Sequence, residues 1–277
     1  MSEFSDINFK KKFGQNFLSD KNLLSSIALD AGITGDDVVL EIGAGAGALT
    51  SELVKRAKKV ISFEIDKELL SLLNDKFKNV NNLEIIFEDF LNFNEDILLE
   101  KIGTNFKVVA NLPYYITTPI LTKLFNLRVR PQVIVVMVQK EVGERIVAMP
   151  KSSSYGYFSV FVQANADAKI TRIVNKKMFY PVPKVDSCIV KLKPKDNVYN
   201  NNFFDFLKNC FAMKRKTLVN NLEKAYGIKK LTLEEKLKKL NISENARADG
   251  LAIDELNEIY KACLLYTSPS PRDSTSS

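Results

Sequence analysis

The tetrapeptide Asn111-Leu-Pro-Tyr114 contains the groups best suited to hold a planar base that carries an exocyclic amine. The Asn111 side-chain oxygen and the Leu112 main-chain carbonyl are two acceptors that can grip both amine hydrogens and aim the lone pair at an electrophile. Pro113 stiffens the turn by fixing its own φ, and Tyr114 offers an aromatic face on which a base can stack. We interpret the tetrapeptide as a catalytic turn that binds adenine, and a chance turn of the same composition is the alternative.

A glycine-rich turn, Glu41-Ile-Gly-Ala-Gly-Ala-Gly47, precedes the tetrapeptide. Glycines between a strand and a helix, here Gly43 and Gly45, let the backbone approach a ligand closely. The spacing G-x-G-x-G differs from the G-x-G-x-x-G of dinucleotide folds, which disfavours a nicotinamide cofactor. The turn alone is weak evidence, because dinucleotide enzymes and purely structural turns also use such glycines.

Two carboxylates are predicted at the ends of neighbouring strands. Glu64, about twenty residues beyond the glycine turn, can accept hydrogen bonds from both hydroxyls of a ribose. Asp89 is placed to accept a hydrogen bond from an adenine amine. The glycine turn and these two acids predict a nucleoside-sized crevice at the carboxyl edge of a parallel sheet. A solvent-facing acid at a strand end is the alternative for Glu64.

The chain has no histidine and three widely separated cysteines. This composition excludes a histidine general base, a Ser–His pair and any site with a histidine metal ligand. A sulfonium is already a good leaving group, so transfer of its methyl to an aligned amine needs positioning and electrostatics, not a strong base. We predict that the protein binds no metal and works in the reducing cytoplasm. No apolar run is long enough to span a bilayer.

The elements that must position these residues are predicted from alternating apolar runs and amphipathic stretches. Helices are predicted at 49–57 and 67–77. The pattern indicates an α/β fold, a Rossmann-like sheet of seven mostly parallel strands with a small C-terminal α-helical domain. The strands are predicted at 38–41, 60–64, 83–87, 106–110, 133–137, 169–174 and 187–192.

The last third of the chain is helical and basic. A polar linker at 194–202 separates a catalytic domain, 1–195, from a helical domain, 196–265, and residues 266–277 are interpreted as a disordered or artefactual tail. Residues 176–262 carry 18 basic and 11 acidic residues, whereas residues 1–175 carry 21 of each. This surplus favours a phosphate-rich partner, and a solvated basic face is the alternative. The helices are predicted at 203–226, 233–240 and 253–264.

Six motifs occur together and in order, and they resemble those of the ribosomal RNA adenine dimethyltransferase family, most closely its bacterial small-subunit branch. The resemblance runs from about residue 9 to residue 264. The motifs are Phe13-Gly-Gln-Asn-Phe-Leu18, Glu41-Ile-Gly-Ala-Gly-Ala-Gly-Ala-Leu-Thr50, Asn111-Leu-Pro-Tyr-Tyr-Ile-Thr-Thr-Pro119, Val138-Gln-Lys-Glu-Val142, Phe179-Tyr-Pro-Val-Pro-Lys-Val-Asp-Ser187 and Phe211-Ala-Met-Lys-Arg-Lys-Thr-Leu218.

The resemblance implies that S-adenosylmethionine donates two methyl groups to each of two adjacent adenosines. These would lie in the 3′-terminal hairpin loop of small-subunit (16S) ribosomal RNA within a pre-ribosomal particle. The large-subunit branch linked to macrolide resistance, and a non-catalytic RNA-binding assembly factor, are the alternatives. We expect a monomer without a membrane partner.

The resemblance also assigns roles to individual residues. Phe179 would stack on the target adenine opposite Tyr114, with Asn111 and Leu112 holding its amine. The residues expected to line the cofactor are Gln15, Asn16, Leu18, Gly43, Gly45, Glu64, Asp89 and Asn111. On charge, the candidate RNA contacts are Lys10, Lys11, Lys12, Lys214, Arg215 and Lys216.

Overall fold

The computed structural model describes residues 17–18, 20–112, 116–196 and 199–265. The chain divides into two compact units, one made of residues 1–144 and 166–195 and the other of residues 145–165 and 196–277. Predictions made for residues outside the described ranges stay predictions. They concern Gln15, Asn16, Tyr114, Lys10, Lys11, Lys12 and the tail at 266–277.

The apolar runs of the first unit form one large sheet and one small one. The strands are β1 (Phe17–Leu18), β2 (Val38–Ile42), β3 (Lys59–Phe63), β4 (Leu83–Ile86), β5 (Phe106–Asn111), β6 (Val133–Gln139), β7 (Ala166–Val174), β8 (Phe179–Tyr180) and β9 (Ser187–Pro194). The large sheet has the order β4-β3-β2-β5-β6-β9-β7, and the small one pairs β1 with β8. In the large sheet, β9 runs in the direction opposite to that of the other six strands. The predicted seven-stranded, mostly parallel α/β fold is therefore confirmed.

Burial on both faces explains why the central strands could be predicted from the sequence. Val39 and Leu40 in β2, like Val108 and Val109 in β5, are fully buried in succession. Parallel strands covered on both faces appear as continuous apolar runs. The edge strand β7 is instead buried only at its two ends and exposed or half-buried between them, and it begins three residues before the predicted start at 169.

Helices follow most of the strands in the first unit. Helix α2 ends before the predicted 57, because the amides of Lys58 and Lys59 turn back to the carbonyl of Asp37 on the way into β3. The predicted helix at 67–77 consists of a 3-10 turn, Lys67–Leu69, followed by α3. The helices are α1 (Lys21–Asp30), α2 (Ala48–Leu53), α3 (Leu70–Phe77), α4 (Glu95–Ile102), α5 (Thr117–Asn126) and α6 (Lys140–Ile146).

The second unit is helical, and it includes the segment 145–165 that precedes β7. Its core contains Phe203, Phe206 and Leu222. The prediction of one helix over 203–226 is wrong, because residues 211–217 form a loop that ends one helix and starts the next. The helices are α7 (Tyr157–Asn165), α8 (Asn201–Cys210), α9 (Leu218–Tyr226), α10 (Lys230–Lys239) and α11 (Ile253–Tyr260), the last continuing into a π-helical turn, Lys261–Leu265.

Candidate active site

The glycine turn after β2 needs glycine at each of its three positions. Gly43, Gly45 and Gly47 have φ values of 86°, 54° and 74°, a region that other residues rarely adopt. A Cβ at Gly47 would lie 2.5 Å from the Phe77 ring, and one at Gly43 would lie 3.4 Å from the carbonyl oxygen of Asn111. The turn therefore passes directly beside the end of β5, where the predicted catalytic tetrapeptide begins.

Glu64 is buried and follows β3 immediately. The strand ends at Phe63, one residue before its predicted end at Glu64. Its Oε2 accepts a hydrogen bond of 2.7 Å from the Gly45 amide, and its Oε1 accepts one of 2.8 Å from the Asp66 amide. Burial raises the pKa of this carboxyl, and the amide hydrogen bonds oppose the rise. Glu64 is thus fixed against the glycine turn, with spare lone pairs on both oxygens.

Glu41, the acid before the glycine turn, is completely buried. Its Oε2 accepts hydrogen bonds from the hydroxyls of Thr50, at 2.7 Å, and Ser62, at 2.6 Å. Its Oε1 is buried without a hydrogen-bond partner among the residues that the structure describes. Burial raises the pKa of Glu41 to about 7, and the negative charge of Glu64 adds to the rise. An orphaned acceptor beside a glycine turn suits a ligand that has a cationic group.

Asp89 lies three residues beyond β4, not at the end of the strand as predicted. Its carboxylate accepts hydrogen bonds from the Leu91 amide and the Asn92 side chain, both at 2.9 Å. The rings of Phe90 and Phe93 meet Phe63, the residue before Glu64, edge to face at centroid distances of 5.4 and 4.9 Å. The loop that carries Asp89 is therefore packed against the strand that carries Glu64.

Lys123, on α5, holds this loop from the other side. Its ammonium donates to the carbonyls of Phe90, Leu91 and Phe93 at 2.7, 3.0 and 2.8 Å, and it lies 5.0 Å from the centroid of the Phe90 ring. Burial lowers its pKa, while the negative charges of Asp89 and Glu95 oppose the fall. Sequence analysis missed Lys123, because its partners are main-chain carbonyls and leave no mark in the residue pattern.

Of the predicted adenine-holding residues, Asn111 ends β5 and is partly exposed. The side chain of Leu112 is buried, and its amide donates to the Met137 carbonyl at 3.2 Å. Phe179 lies in β8, is only 4% exposed, and belongs to the apolar cluster around Leu24 and Ile189. Its proposed stacking on a base stays a prediction.

The short β1–β8 sheet joins two motifs that are far apart in the sequence. Leu18 pairs with Phe179, and Phe17 pairs with Tyr180. The end of the motif at 13–18 therefore lies beside the start of the motif at 179–187. Their proximity could not be read from the residue pattern, because each strand has only two residues.

The basic residues Lys214, Arg215 and Lys216 are exposed on the loop between α8 and α9. The buried Asn221 side chain shapes this loop: it accepts from the Met213 amide and donates to the carbonyls of Cys210 and Met213. The loop is therefore a defined structure on the second unit that presents three adjacent cations.

Membrane-spanning helices and metal-binding clusters are both absent from the part of the chain that the structure describes. No helix there is long and apolar enough to cross a membrane. No group of three or more Cys, Asp or Glu side chains there could hold a metal ion. All three cysteines are buried, and burial raises the pKa of Cys188 to about 11.

Comparison with known proteins gives a consistent result. Residues 6–264 match the family model described as ribosomal RNA adenine dimethylase. Over 263 residues the chain is 44% identical to ribosomal RNA small subunit methyltransferase A of Caldanaerobacter subterraneus subsp. tengcongensis, covering 92% of this chain and 97% of that protein. A dimethyladenosine transferase from Plasmodium falciparum has a TM-score of 0.74 and 31% identity, covering 88% of this chain and 95% of that one. The 23S rRNA methyltransferase ErmE has a TM-score of 0.69 and 25% identity, covering 89% and 99%.

Proposed function

Because the chain belongs to the ribosomal RNA adenine dimethylase family, we propose that it dimethylates N6 of two adjacent adenosines in the 3′-terminal hairpin loop of small-subunit ribosomal RNA. It is an S-adenosylmethionine-dependent methyltransferase. The observation that carries the site is the approach of the Gly43 turn to the Asn111 carbonyl, with Glu64 bound to Gly45. This arrangement supports the proposal that the edge that would bind a nucleoside lies beside the turn that would bind the amine.

The residues of the first unit fit S-adenosylmethionine, which supplies a sulfonium methyl as the electrophile. Glu64 would accept from the ribose hydroxyls with the lone pairs left by its two amide hydrogen bonds. Asp89 would accept from the adenine amine. The negative charge of Glu41, buried before the glycine turn, would attract the ammonium of the methionine portion without direct contact. Gly43 and Gly45 would let the main chain contact the ligand, and Gln15, Asn16 and Leu18 would complete the site.

Asn111 and Leu112 would act on the substrate amine. Its lone pair is delocalised into the purine ring, so the amine is a poor nucleophile. Two acceptors on its hydrogens would rotate and rehybridise the amine so that its lone pair leaves conjugation with the ring. The lone pair would then form the new N–C bond while the methyl–sulfur bond breaks and its electron pair stays on the sulfur, which leaves as a neutral thioether. The extra proton on N6 leaves to water, so no strong base is required. Tyr114 and Phe179 would stack on the base and hold it in place.

The second unit would bind the RNA. The loop bearing Lys214, Arg215 and Lys216 presents cations that suit phosphates, and we infer the same role for Lys10, Lys11 and Lys12. We propose that the protein acts as a monomer on a pre-ribosomal particle in the cytoplasm. The 44% identity to a small-subunit enzyme, against 25% to a large-subunit one, favours the small-subunit substrate.

A methyl-transfer assay tests this proposal. Labelled S-adenosylmethionine is supplied with undermethylated small subunits, and large subunits are assayed alongside. We expect label in dimethyladenosine of the small-subunit RNA alone. Label confined to the large subunit would instead indicate an enzyme of the large-subunit branch. No label on either subunit would indicate a non-catalytic factor.

A further inference from the structure

The loop between β7 and β9, residues 175–186, lies at the same edge of the sheet as the active site. Val174, the last residue of β7, pairs with Ser187, which also pairs with Gln139 at the end of β6. Since β6 is parallel to β5 and β7 runs in the same direction, the loop projects from the carboxyl edge. The glycine turn, Glu64 and Asn111 lie along this edge as well.

The loop is held in a defined shape by its own residues. Asp186 accepts a hydrogen bond from the Lys176 amide at 2.9 Å, and its carbonyl accepts one from the Lys140 amide at 3.0 Å. The Asn175 side chain accepts from the Lys177 amide at 2.9 Å. The Lys176 ammonium crosses the loop to the Lys184 carbonyl at 3.4 Å. The exposed side chains therefore project from an organised backbone.

The side chains on this loop combine aromatic, apolar and cationic groups. Tyr180 is 49% exposed and Val182 is 58% exposed, and Lys177 and Lys184 are exposed on the same loop. Phe179 and Tyr180 are successive strand residues, which point to opposite faces. Phe179 enters the apolar cluster, and Tyr180 consequently faces outward.

We propose that this loop binds the single-stranded RNA next to the target adenosine. Tyr180 stacks on a neighbouring base, and Lys177 and Lys184 contact the adjoining phosphates. Single strands are bound through this combination, in which aromatic side chains take bases and cations follow the backbone. This inference rests on the proposed function, and it adds a contact surface on the catalytic unit to the basic loop of the second unit.

Tyr180 is tested by binding to undermethylated small subunits. Tyr180→Ser should weaken binding about 5- to 150-fold, the range for loss of one stacked base, whereas Tyr180→Phe should bind like the wild type. Melting temperature and affinity for S-adenosylhomocysteine are measured on each variant as folding controls. Wild-type particle binding by a folded Tyr180→Ser variant would overturn the stacking contact.

The lysines are tested through salt dependence. Lys177→Gln/Lys184→Gln should reduce the slope of log affinity against log salt by about 1.4, or about 0.7 for each single-strand phosphate contact. The matched control is Lys58→Gln/Lys78→Gln, since these exposed lysines precede β3 and β4 at the opposite edge of the sheet. Equal slopes for the two double variants would overturn the phosphate contacts.

These results are separable from the proposed function. If wild-type protein fails to methylate small subunits, the proposed function fails. If it methylates them while the Tyr180 and lysine variants bind and respond to salt as the wild type does, only the loop inference fails.

Discussion

A buried carboxylate with an unsatisfied oxygen is costly to a fold, and Glu41 is such a group. Two hydroxyls stabilise its Oε2, but Oε1 has no partner among the described residues. Buried polar atoms without a hydrogen-bond partner are few in native structures, and a functional role is one reason for keeping such an atom. The residue pattern marked Glu41 only as an acid before a glycine turn, because its burial and its missing partner are properties of the folded chain.

The raised pKa of Glu41 makes stability depend on pH. Between its ordinary pKa of 4.5 and its folded-state pKa of about 7, the folded state binds more protons than the unfolded state. Stability therefore falls as pH rises through this window, by up to about 3 kcal/mol. Glu41→Gln cannot titrate, so the difference in unfolding free energy between variant and wild type should change by about this amount.

Urea denaturation of wild type and Glu41→Gln across that window measures this difference. Taking the difference cancels the contributions of groups that titrate alike in both proteins. A constant difference at every pH would show that Glu41 keeps an ordinary pKa in the folded protein.

Asn111 carries the mechanistic prediction at this scale. If its oxygen aligns the target amine, Asn111→Ala should lower the rate of methyl transfer by about 10²–10³, the usual effect of removing one preorganised contact. Loss of cofactor affinity should be smaller. Single-turnover rates with saturating cofactor and particle measure the effect. A residue that merely caps a turn would instead lower the melting temperature and spare the rate.

At the scale of elements, the loop after β4 shows how one lysine can organise a binding edge. Lys123 donates hydrogen bonds to three carbonyls of the loop, and Phe63 packs against two aromatic rings of the loop. If Asp89 reads the adenine of the cofactor, Lys123 is a positioning residue for that contact. Lys123→Met should therefore reduce the preference for an adenine over a base that lacks the amine.

The measurement compares binding of S-adenosylhomocysteine with binding of S-inosylhomocysteine, in which a carbonyl replaces the amine. Loss of a hydrogen bond to a charged group costs about 1.5–3 kcal/mol, so the wild-type preference should be roughly tenfold or more. Asp89→Ala should abolish it, Lys123→Met should shrink it, and Lys123→Arg should keep part of it. An unchanged ratio in a less stable Lys123→Met protein would indicate a purely structural lysine.

Elements with dense apolar patterns were predictable from the sequence, and those defined by single polar side chains were not. The central strands were located to within a residue or two, because burial on both faces leaves continuous runs such as Val133–Gln139. The break at 211–217 was missed, since it depends on one buried amide, Asn221, bonding to the main chain. An amphipathic pattern continues across such a loop without interruption.

The same distinction holds for the candidate site. The location of Gly43, Glu64 and Asn111 at one edge of the sheet was predictable, because parallel strands bring their carboxyl ends to the same edge. The contact between Gly45 and Glu64 and the carbonyl cluster around Lys123 depend on loop conformations that no residue spacing encodes. The pairing of β1 with β8 likewise joins distant two-residue segments.

For the whole molecule, the distribution of charge suggests how substrate is chosen. The surplus of positive charge lies within residues 176–262, and residues 1–175 are balanced. Of that surplus of seven charges, five lie in residues 176–195 of the first unit and two in residues 196–262 of the helical unit. Residues 145–165 add two more basic residues and no acid to the helical unit, which therefore carries a net charge of +4. A basic surface of this kind can read the shape of structured RNA, in which the base edges are poorly accessible.

We therefore predict that an incompletely assembled small subunit is a better substrate than the protein-free hairpin. The particle offers a wide phosphate surface to the helical unit, and the hairpin offers only the target loop. Comparison of kcat/KM for the two substrates at the same salt concentration checks this prediction. Equal values would mean that the target loop alone supplies recognition.

The basic loop should account for part of that recognition. Replacing Lys214, Arg215 and Lys216 with glutamine should weaken particle binding and flatten its salt dependence, by up to about 0.9 in slope for each lost contact with a duplex phosphate. Affinity for S-adenosylhomocysteine should not change, because the residues proposed to bind the cofactor belong to the first unit. The matched control replaces Lys224, Lys238 and Lys239, which are exposed on helices α9 and α10. Both triple variants remove the same charge, so long-range attraction falls alike, and a larger change in slope for the loop variant identifies direct contacts. Identical salt slopes for the two triple variants would show that the loop is an ordinary solvated surface.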